Sequence, residues 1–474
     1  MLGDVRASVS DGLLGFETEK GAGIFAAIGV SPIKTETPIA ISGNMGAAKI
    51  RERLGLSPLA DSVMDSVENG ANRIYCIPVK ATTEGTISEV KKTSSGSGSC
   101  TVEGKPNNAY SVIVEFTGKG GFNTALFTYS IDGGFSKSDE VTLPMTGEFE
   151  ITGTGVTLKF TQDASTPEES FQIGDAFSFS TTAPQMTNAD ALEAIGKLKQ
   201  FDELFEFVHV VGESTPAMWA AVSEAQAELE ELNHKPLLFI MEAGNIEKDE
   251  EVSDYALRLE AEKKKLKNKN IAVVAARSLY VKMDGTTVEI NNAGIVCGLI
   301  AKTSVQQSIG RTAKAAGMGI SKDKMLELRP AGIKEYTELL DQAKYITFRE
   351  YDGLEDFYVT NARIMSPDSS DFRYVEDVRV INKIVREVRK AGLPLLQEDI
   401  DIKDIQGELE RRAKYMEAPL DDMVRNKEIS AAQITVPEGQ DIIRDERMDV
   451  VVRYVSRGYI RTIHVDIGRA NTTT

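Results

Sequence analysis

The sequence predicts a mixed α/β (α+β) chain of several domains: a doubly wound-like layer, an antiparallel β domain inserted into it, and a C-terminal α+β assembly domain with strand-donating termini. Three observations predict this. From Asn188 onward, apolar strand-like runs alternate with helical runs, and parallel strands need such long crossovers. Across residues 91–186 helical periodicity gives way to short alternating runs punctuated by glycine. Near the C-terminus a long amphipathic helix precedes two dense strand patterns, 448–455 and 459–467. A chain end so strand-prone must pair with something, or it leaves a backbone edge that invites association.

Taken in order, residues 1–20 read as an extended N-terminal arm. Val5, Ala7 and Val9 alternate with Arg6 and Ser8 at the two-residue period of a strand, until Gly12 and Gly15 break it. Residues 21–90 are the first part of the α/β body, with strands at 23–30 and 37–42, a helical pattern over 44–69 and a strand at 74–79. The run KKTSSGSGS from Lys91 reads as a polar, flexible connection. It leads into the inserted β-rich domain, 91–186, with strands at 110–116, 124–131, 140–143, 156–161 and 176–181 and a tight turn at Asp132-Gly133. This insert is expected to project from the body.

Residues 187–344 supply the second part of the body. Strands are predicted at 205–211, 237–241 and 271–275, and helices at 216–232, 249–266 and around 294–301. Residues 345–455 form the C-terminal assembly domain, opening with strands at 346–349 and 357–364. A helix follows over 373–391, in which Val378, Ile381, Val385 and Val388 repeat as a core-facing stripe before Gly392 and Pro394 end it. Two helical stretches, 406–417 and 420–428, lead to the strand at 448–455. A Ser456-Arg457-Gly458 turn then opens the C-terminal strand or arm, 456–474.

Composition narrows the function classes. A chain of 474 residues, 41% apolar and 27% charged, is an ordinary globular polypeptide too long for one core. A net charge of −18 argues against a general nucleic-acid binder, which needs an excess of Lys and Arg on its contact surface. Cys76, Cys100 and Cys297 are too few and scattered for a disulfide framework or thiolate metal site, so reduced, cytosolic synthesis is expected. The N-terminus lacks a secretory-signal pattern, and no apolar run is long enough to span a bilayer, so no membrane insertion is expected.

Catalytic motifs are missing. His209 lies within an apolar strand and reads as a satisfied interior residue, His234 as a surface loop residue, and His464 as solvent-facing or at an interface. None has a metal-ligand neighbour at the right spacing. Gly21-Ala22-Gly23 with Gly29, and Gly118-Lys119-Gly120-Gly121, lack the spacing of a dinucleotide fingerprint or phosphate loop. Carboxylate pairs such as Asp421 and Asp422 are what an acidic solvated surface produces. No catalytic, cofactor-binding or metal residue is predicted, no cofactor is expected, and the chain does not read as an enzyme. One charge pattern stands out: Arg379, Lys383, Arg386 and Lys390, spaced four, three and four apart, form a basic stripe opposite the valines. Solvation is its simplest reading, and docking onto an acidic protein its functional one.

Several phrases together resemble the contractile tail sheath protein family of phages and contractile injection particles. They are Phe357-Tyr-Val-Thr-Asn-Ala-Arg363, then Phe372-Arg-Tyr-Val-Glu-Asp-Val-Arg-Val-Ile-Asn382 with its long helix, and terminal strands closing on Gly468-Arg469-Ala470-Asn471. The regions Gly21-Ala22-Gly23 and Val30-Ser31-Pro32, and the hairpin Tyr129-Ser-Ile-Asp-Gly-Gly134, are also similar. The resemblance spans most of the chain in order, with no single diagnostic motif. It implies a subunit of a six-start helical sheath around an inner tube, contracting without nucleotide, with terminal arms that donate strands to neighbours. Intersubunit exchange would then fall to Val5, Ala7 and Val9 and to Arg461, Ile463, Val465 and Ile467, and inner-tube attachment to Arg379, Lys383, Arg386 and Lys390. The implied partners are the chain itself in hexameric rings, an inner tail tube protein, and baseplate and tail terminator proteins. The implied location is a virion tail or contractile particle assembled in the bacterial host cytoplasm. For 448–455, a hairpin completing the subunit's own sheet is the alternative. An α/β enzyme using the carboxyl ends of the sheet, or an adhesin or carbohydrate-binding protein using the insert, are the rival classes.

Overall fold

The computed structural model describes residues 23–264 and 266–469. Val5, Ala7 and Val9, assigned to strand exchange above, lie outside the described residues. The chain divides into two units, Met1–Val375 and Glu376–Thr474.

The first unit is organised by a six-stranded sheet. Its early elements are β1 (Phe25–Val30), β2 (Ile39–Ser42), α1 (Ala47–Leu54), α2 (Pro58–Glu68) and β3 (Arg73–Val79). Ser57 caps α2, accepting from the Ala60 N–H, with Pro58 at the first helical position where its missing donor costs nothing.

The insert contributes β4 (Lys91–Thr93), β5 (Ser99–Gly104), β6 (Ser111–Gly118), β7 (Leu126–Ser130), β8 (Val141–Thr142), β9 (Glu148–Ile151), β10 (Val156–Thr161) and β11 (Ala176–Ser180). They form a three-stranded sheet, β5-β10-β9, and a five-stranded sheet, β4-β11-β6-β7-β8. An aromatic cluster fills the core, with Phe116 stacked on Phe171 at 4.4 Å and edge-on to Phe160 and Phe177. The insert is therefore the antiparallel β domain expected, although KKTSSGSGS is not a loose connection. Lys91–Thr93 is a strand on β11, and the turn after it is fixed by Asp175, whose Oδ1 accepts from the Ser95 N–H at 2.8 Å. The insert is also tied to the body, by the Asp132 carboxylate accepting from the Thr287 N–H at 3.2 Å and by Asn108 donating to Asp61 at 2.8 Å.

The chain returns through α3 (Asn188–Lys197), β12 (Phe207–Ser214), α4 (Pro216–Glu231), β13 (Leu238–Ala243), α5 (Val252–Lys263) and β14 (Ile271–Val274). The strand order β14-β13-β12-β1-β3-β2 is parallel except for β2 at the edge, a doubly wound layer whose switch point lies between β1 and β12. Every residue of β1, β13 and β14 is buried, which is why these strands are apolar runs rather than alternating ones, broken only by Glu242 of β13.

Next come β15 (Arg277–Val281), β16 (Thr287–Asn291) and α6 (Ala293–Lys302). Helix α6 lies close on α2: a Cβ added at Gly294 would sit 2.7 Å from the Ser62 carbonyl oxygen, and one at Gly298 2.5 Å from that of Ser66. The unit closes with β17 (Ile320–Ser321), β18 (Met325–Arg329), α7 (Thr337–Gln342), β19 (Phe348–Arg349) and β20 (Asp356–Val359). Residues 345–375, grouped above with the C-terminal domain, belong with the body, because Ile346 bridges Val274 and β20 pairs with β17.

The second unit holds α8 (Val375–Gly392), which begins at the boundary, α9 (Ile405–Arg425), β21 (Ala431–Thr435), α10 (Ile442–Asp445) and β22 (Val451–Val455). The two helical stretches expected at 406–417 and 420–428 are one helix running through Pro419. Proline removes one backbone donor and strains the preceding turn. Buried Leu409, Ala413, Leu420 and Met423 hold the helix together on both sides of it.

Candidate assembly surface

The second unit carries the basic stripe of α8 and the C-terminal part of the strand-exchange group, Arg461, Ile463, Val465 and Ile467. Helix α8 starts with Glu376 and Asp377 in its first turn and ends with Arg389 and Lys390 in its last, each sign at the helix end that favours it. The basic stripe is not the exposed face expected. Arg379 and Lys383 are buried and Val385 is exposed, so the charged side turns inward at its N-terminal half. The reason is Glu428, just beyond α9, both of whose carboxylate oxygens accept from Lys383 Nζ, at 2.8 and 2.7 Å. A buried ammonium is tolerable only when paired in this way. Arg386 is half-buried and Lys390 exposed, so only the C-terminal half of the stripe reaches solvent.

Beyond α9 the chain makes a hairpin that sequence reasoning only half found. Strand β22 is the expected strand at 448–455, shortened, and it pairs antiparallel with β21, from Ala431 opposite Val455 to Thr435 opposite Val451. It does not turn back on 459–467 at Ser456. The alternation of Ala432, Ile434 and Val436 ahead of Pro437-Glu438-Gly439 was the signal for β21. An open groove of about 770 Å³ runs along β21, walled by Glu410, Ala413, Lys414 and Glu417 of α9 and reaching Arg453 and Tyr454 of β22. Within it the Ile434 N–H donates to the buried Glu417 carboxylate at 2.6 Å, and Lys414 pairs with the same carboxylate. Burial pushes the Glu417 carboxyl up, but the Ile434 N–H and the Lys414 ammonium outweigh it and hold it below its ordinary value.

Residues 456–469 join no strand among the described residues. Ile463 is 76% exposed, Val465 72% and Ile467 88%, an alternating apolar row left in solvent. Arg461, expected to share that row's exchange role, instead donates to Glu376 of its own chain at 2.5 Å, with its guanidinium 5.4 Å from the Tyr459 ring centre. It anchors the root of the arm, and Ile463, Val465 and Ile467 extend past the anchor.

The switch point of the sheet, where an enzyme would place its cleft, shows polar groups engaged with one another. His209 is buried as expected, 3.1 Å from Glu242 through Nε2 and 3.3 Å from the Ser62 hydroxyl through Nδ1. Glu213 accepts from Arg277 at 2.7 Å, and the Trp219 indole donates to the Ser214 hydroxyl at 2.7 Å. Among the described residues no cluster of three or more His, Cys, Asp and Glu is arranged to hold a metal ion, and no helix is long and apolar enough to cross a membrane.

Two family models match the sequence, the DUF2586 N-terminal domain over residues 2–363 and the DUF2586 C-terminal domain over residues 371–474. Among solved structures, the sheath complex of an extracellular contractile injection system (PVC) in its contracted state superposes with a TM-score of 0.55. The alignment is 12% identical and covers 99% of each chain. A sheath tail protein from Desulfitobacterium hafniense aligns over 96% of this chain and 100% of its own, at 12% identity and a TM-score of 0.49. One from Listeria innocua aligns over 93% and 96%, at 12% identity and a TM-score of 0.48. No curated protein matches in sequence. The likeness to the PVC sheath subunit is one of fold, and it runs through both units.

Proposed function

We infer that this chain, which belongs to the DUF2586 family, is a structural subunit of a contractile tail sheath that polymerises helically around an inner tube and contracts to drive it through a cell envelope. The observation that carries this reading is the exposed row Ile463, Val465 and Ile467, which joins no sheet among the described residues, in a chain with the fold of a contractile-system sheath subunit. Adding such a segment to a neighbour's sheet would form a ladder of backbone hydrogen bonds and bury its apolar side chains, each worth about 1.5–3 kcal/mol. The two-stranded β21-β22 sheet supplies edges for it. The N-terminal residues Val5, Ala7 and Val9 take the complementary part.

In this reading the partners are further copies of the chain in hexameric rings, an inner tail tube protein, and baseplate and terminator proteins, without nucleic acid, membrane insertion or cofactor. The particle is a virion tail or related contractile machine assembled in the bacterial cytoplasm. The chain is no enzyme: work comes from the difference between two packings of the same subunits, with the arms keeping the lattice connected while the bodies turn. Tube attachment rests on Arg386 and Lys390, the half of the α8 stripe that reaches solvent.

Electron microscopy of the purified protein over a range of concentrations, alone and with the co-expressed tube protein, tests the reading. Hollow helical tubes that disappear when residues after Val455 are deleted are expected. Tubes that persist without the arm would remove strand exchange, and particles that stay monomeric even with the tube protein would remove the sheath.

A further inference from the structure

Among the described residues strand β21 pairs with β22 on one side only, and with α9 it lines the groove. A strand joining its other edge would need the outward-pointing backbone donors of β21. One of them is already taken. The Ile434 N–H carries a single proton and gives it to Glu417 at 2.6 Å, so in the register Ile434 opposite Val452 it points away from β22, as alternate donors of an antiparallel strand do. Glu417 is buried, lies on a helix rather than in the sheet, and is held in place by Lys414. An exposed, flat edge is a template for unwanted pairing, and natural sheets cover such edges with charge.

We propose that Glu417 is a latch on the β21 edge: in the free subunit its carboxylate occupies the backbone donor that an incoming strand from a second copy requires, and assembly proceeds by displacing it. This rests on the strand-exchange reading above. The chemistry makes the latch both firm and reversible. A backbone N–H bonded to a carboxylate is roughly twice as strong as one bonded to a carbonyl, so exchange at this one position is unfavourable by itself. It becomes favourable only when a strand in register makes the neighbouring ladder bonds at the same time, which rejects short or slipped segments. Once displaced, the carboxylate keeps Lys414 and is not stranded as an unpaired charge. Random collisions between free subunits would then fail more often than additions templated by an existing ring.

The test uses the full chain carrying Ile463→Lys and Val465→Lys, which removes its own donor row, and a fluorescent peptide of residues 459–469 as the incoming strand. Binding is followed by anisotropy, and thermal melts verify folding. Glu417→Ala in this background is expected to bind the peptide about tenfold more tightly, with Glu417→Gln, which keeps an acceptor oxygen without charge, intermediate. If Glu417→Ala does not fold, a folded Glu417→Gln with tighter binding carries the same conclusion. Equal or weaker binding by the folded variants would overturn the latch and leave strand exchange standing. No binding by any of these chains at millimolar peptide would overturn the strand-acceptor reading, and the latch with it.

Discussion

Lys383 and Glu428 form a buried ion pair in which one ammonium reaches both carboxylate oxygens, at 2.8 and 2.7 Å. The pair ties α8 to the turn after α9, so it belongs to the framework beneath the hairpin rather than to a docking face. Lys383→Ala removes this ammonium from the buried Glu428 carboxylate and should lower the stability of the C-terminal unit by about 3 kcal/mol. Lys383→Glu should be worse. Urea denaturation followed by tyrosine fluorescence or circular dichroism reads the effect; an unchanged midpoint would contradict this role.

A second buried cluster makes the first unit sensitive to pH. Lys282 lies between Asp61, at 3.3 Å, and Asp65, at 3.5 Å, and Oδ1 of Asp65 has no hydrogen-bond partner. Burial drives the Asp65 carboxyl up to about 7 despite Lys282, which keeps its charge mainly against Asp61. An unfolded chain releases this proton near 3.8, whereas the folded one holds it to about 7. Between those values the folded state binds more protons, so this group's contribution to stability falls as pH rises. Asp65→Asn should flatten the decline of Tm between pH 5 and 7.5 and stabilise the protein by on the order of 1 kcal/mol at the upper end. Parallel melting curves for both proteins across that range would show the idea to be wrong.

Much of the first unit was legible because burial on one face or on both leaves a plain record in the sequence. The strands at 271–275 and 156–161 match β14 and β10 closely, since one is a continuous apolar run and the other a clean alternation. The failures share a different origin. Ser95 and Gly96 look like linker residues until Asp175, eighty positions away in sequence from Ser95, captures the Ser95 N–H. Pro419 looks like a helix end until packing on either side outweighs its missing donor. The spacing of Arg379, Lys383, Arg386 and Lys390 correctly says that they share a helix face, but spacing holds no information about Glu428. In each case a long-range partner reversed a local preference. The same limit applies to the edge of β21, whose Glu417 contact joins residues seventeen apart through a helix and a turn.

Arg461 divides the C-terminal arm into an anchored root and a donor segment. Its partner Glu376 is buried, and burial raises that carboxyl even with the guanidinium beside it. Arg461→Ala should therefore cost little global stability, because Glu376 can take up a proton instead of standing uncompensated. It should free the root of the arm, raising amide exchange across residues 459–463 by about tenfold. Exchange unchanged by the substitution would mean that Tyr459 alone fixes the root.

Charge at the C-terminal end of α8 offers the sharpest separation between framework and docking. Lys390 is exposed and Arg386 half-buried, in contrast to Lys383 one turn earlier. Lys390→Glu should leave the melting temperature of the subunit nearly unchanged, since substitutions of exposed residues away from the core fall within about 0.5 kcal/mol. If this end of the helix meets an acidic tube surface, co-sedimentation with the tube protein should weaken severalfold at low salt, and the difference should shrink as salt screens both proteins. Lys383→Ala should behave in the opposite way, lowering stability with no distinctive salt dependence. Equal co-sedimentation of the Lys390→Glu variant and the native chain at every ionic strength would place tube attachment elsewhere on the subunit.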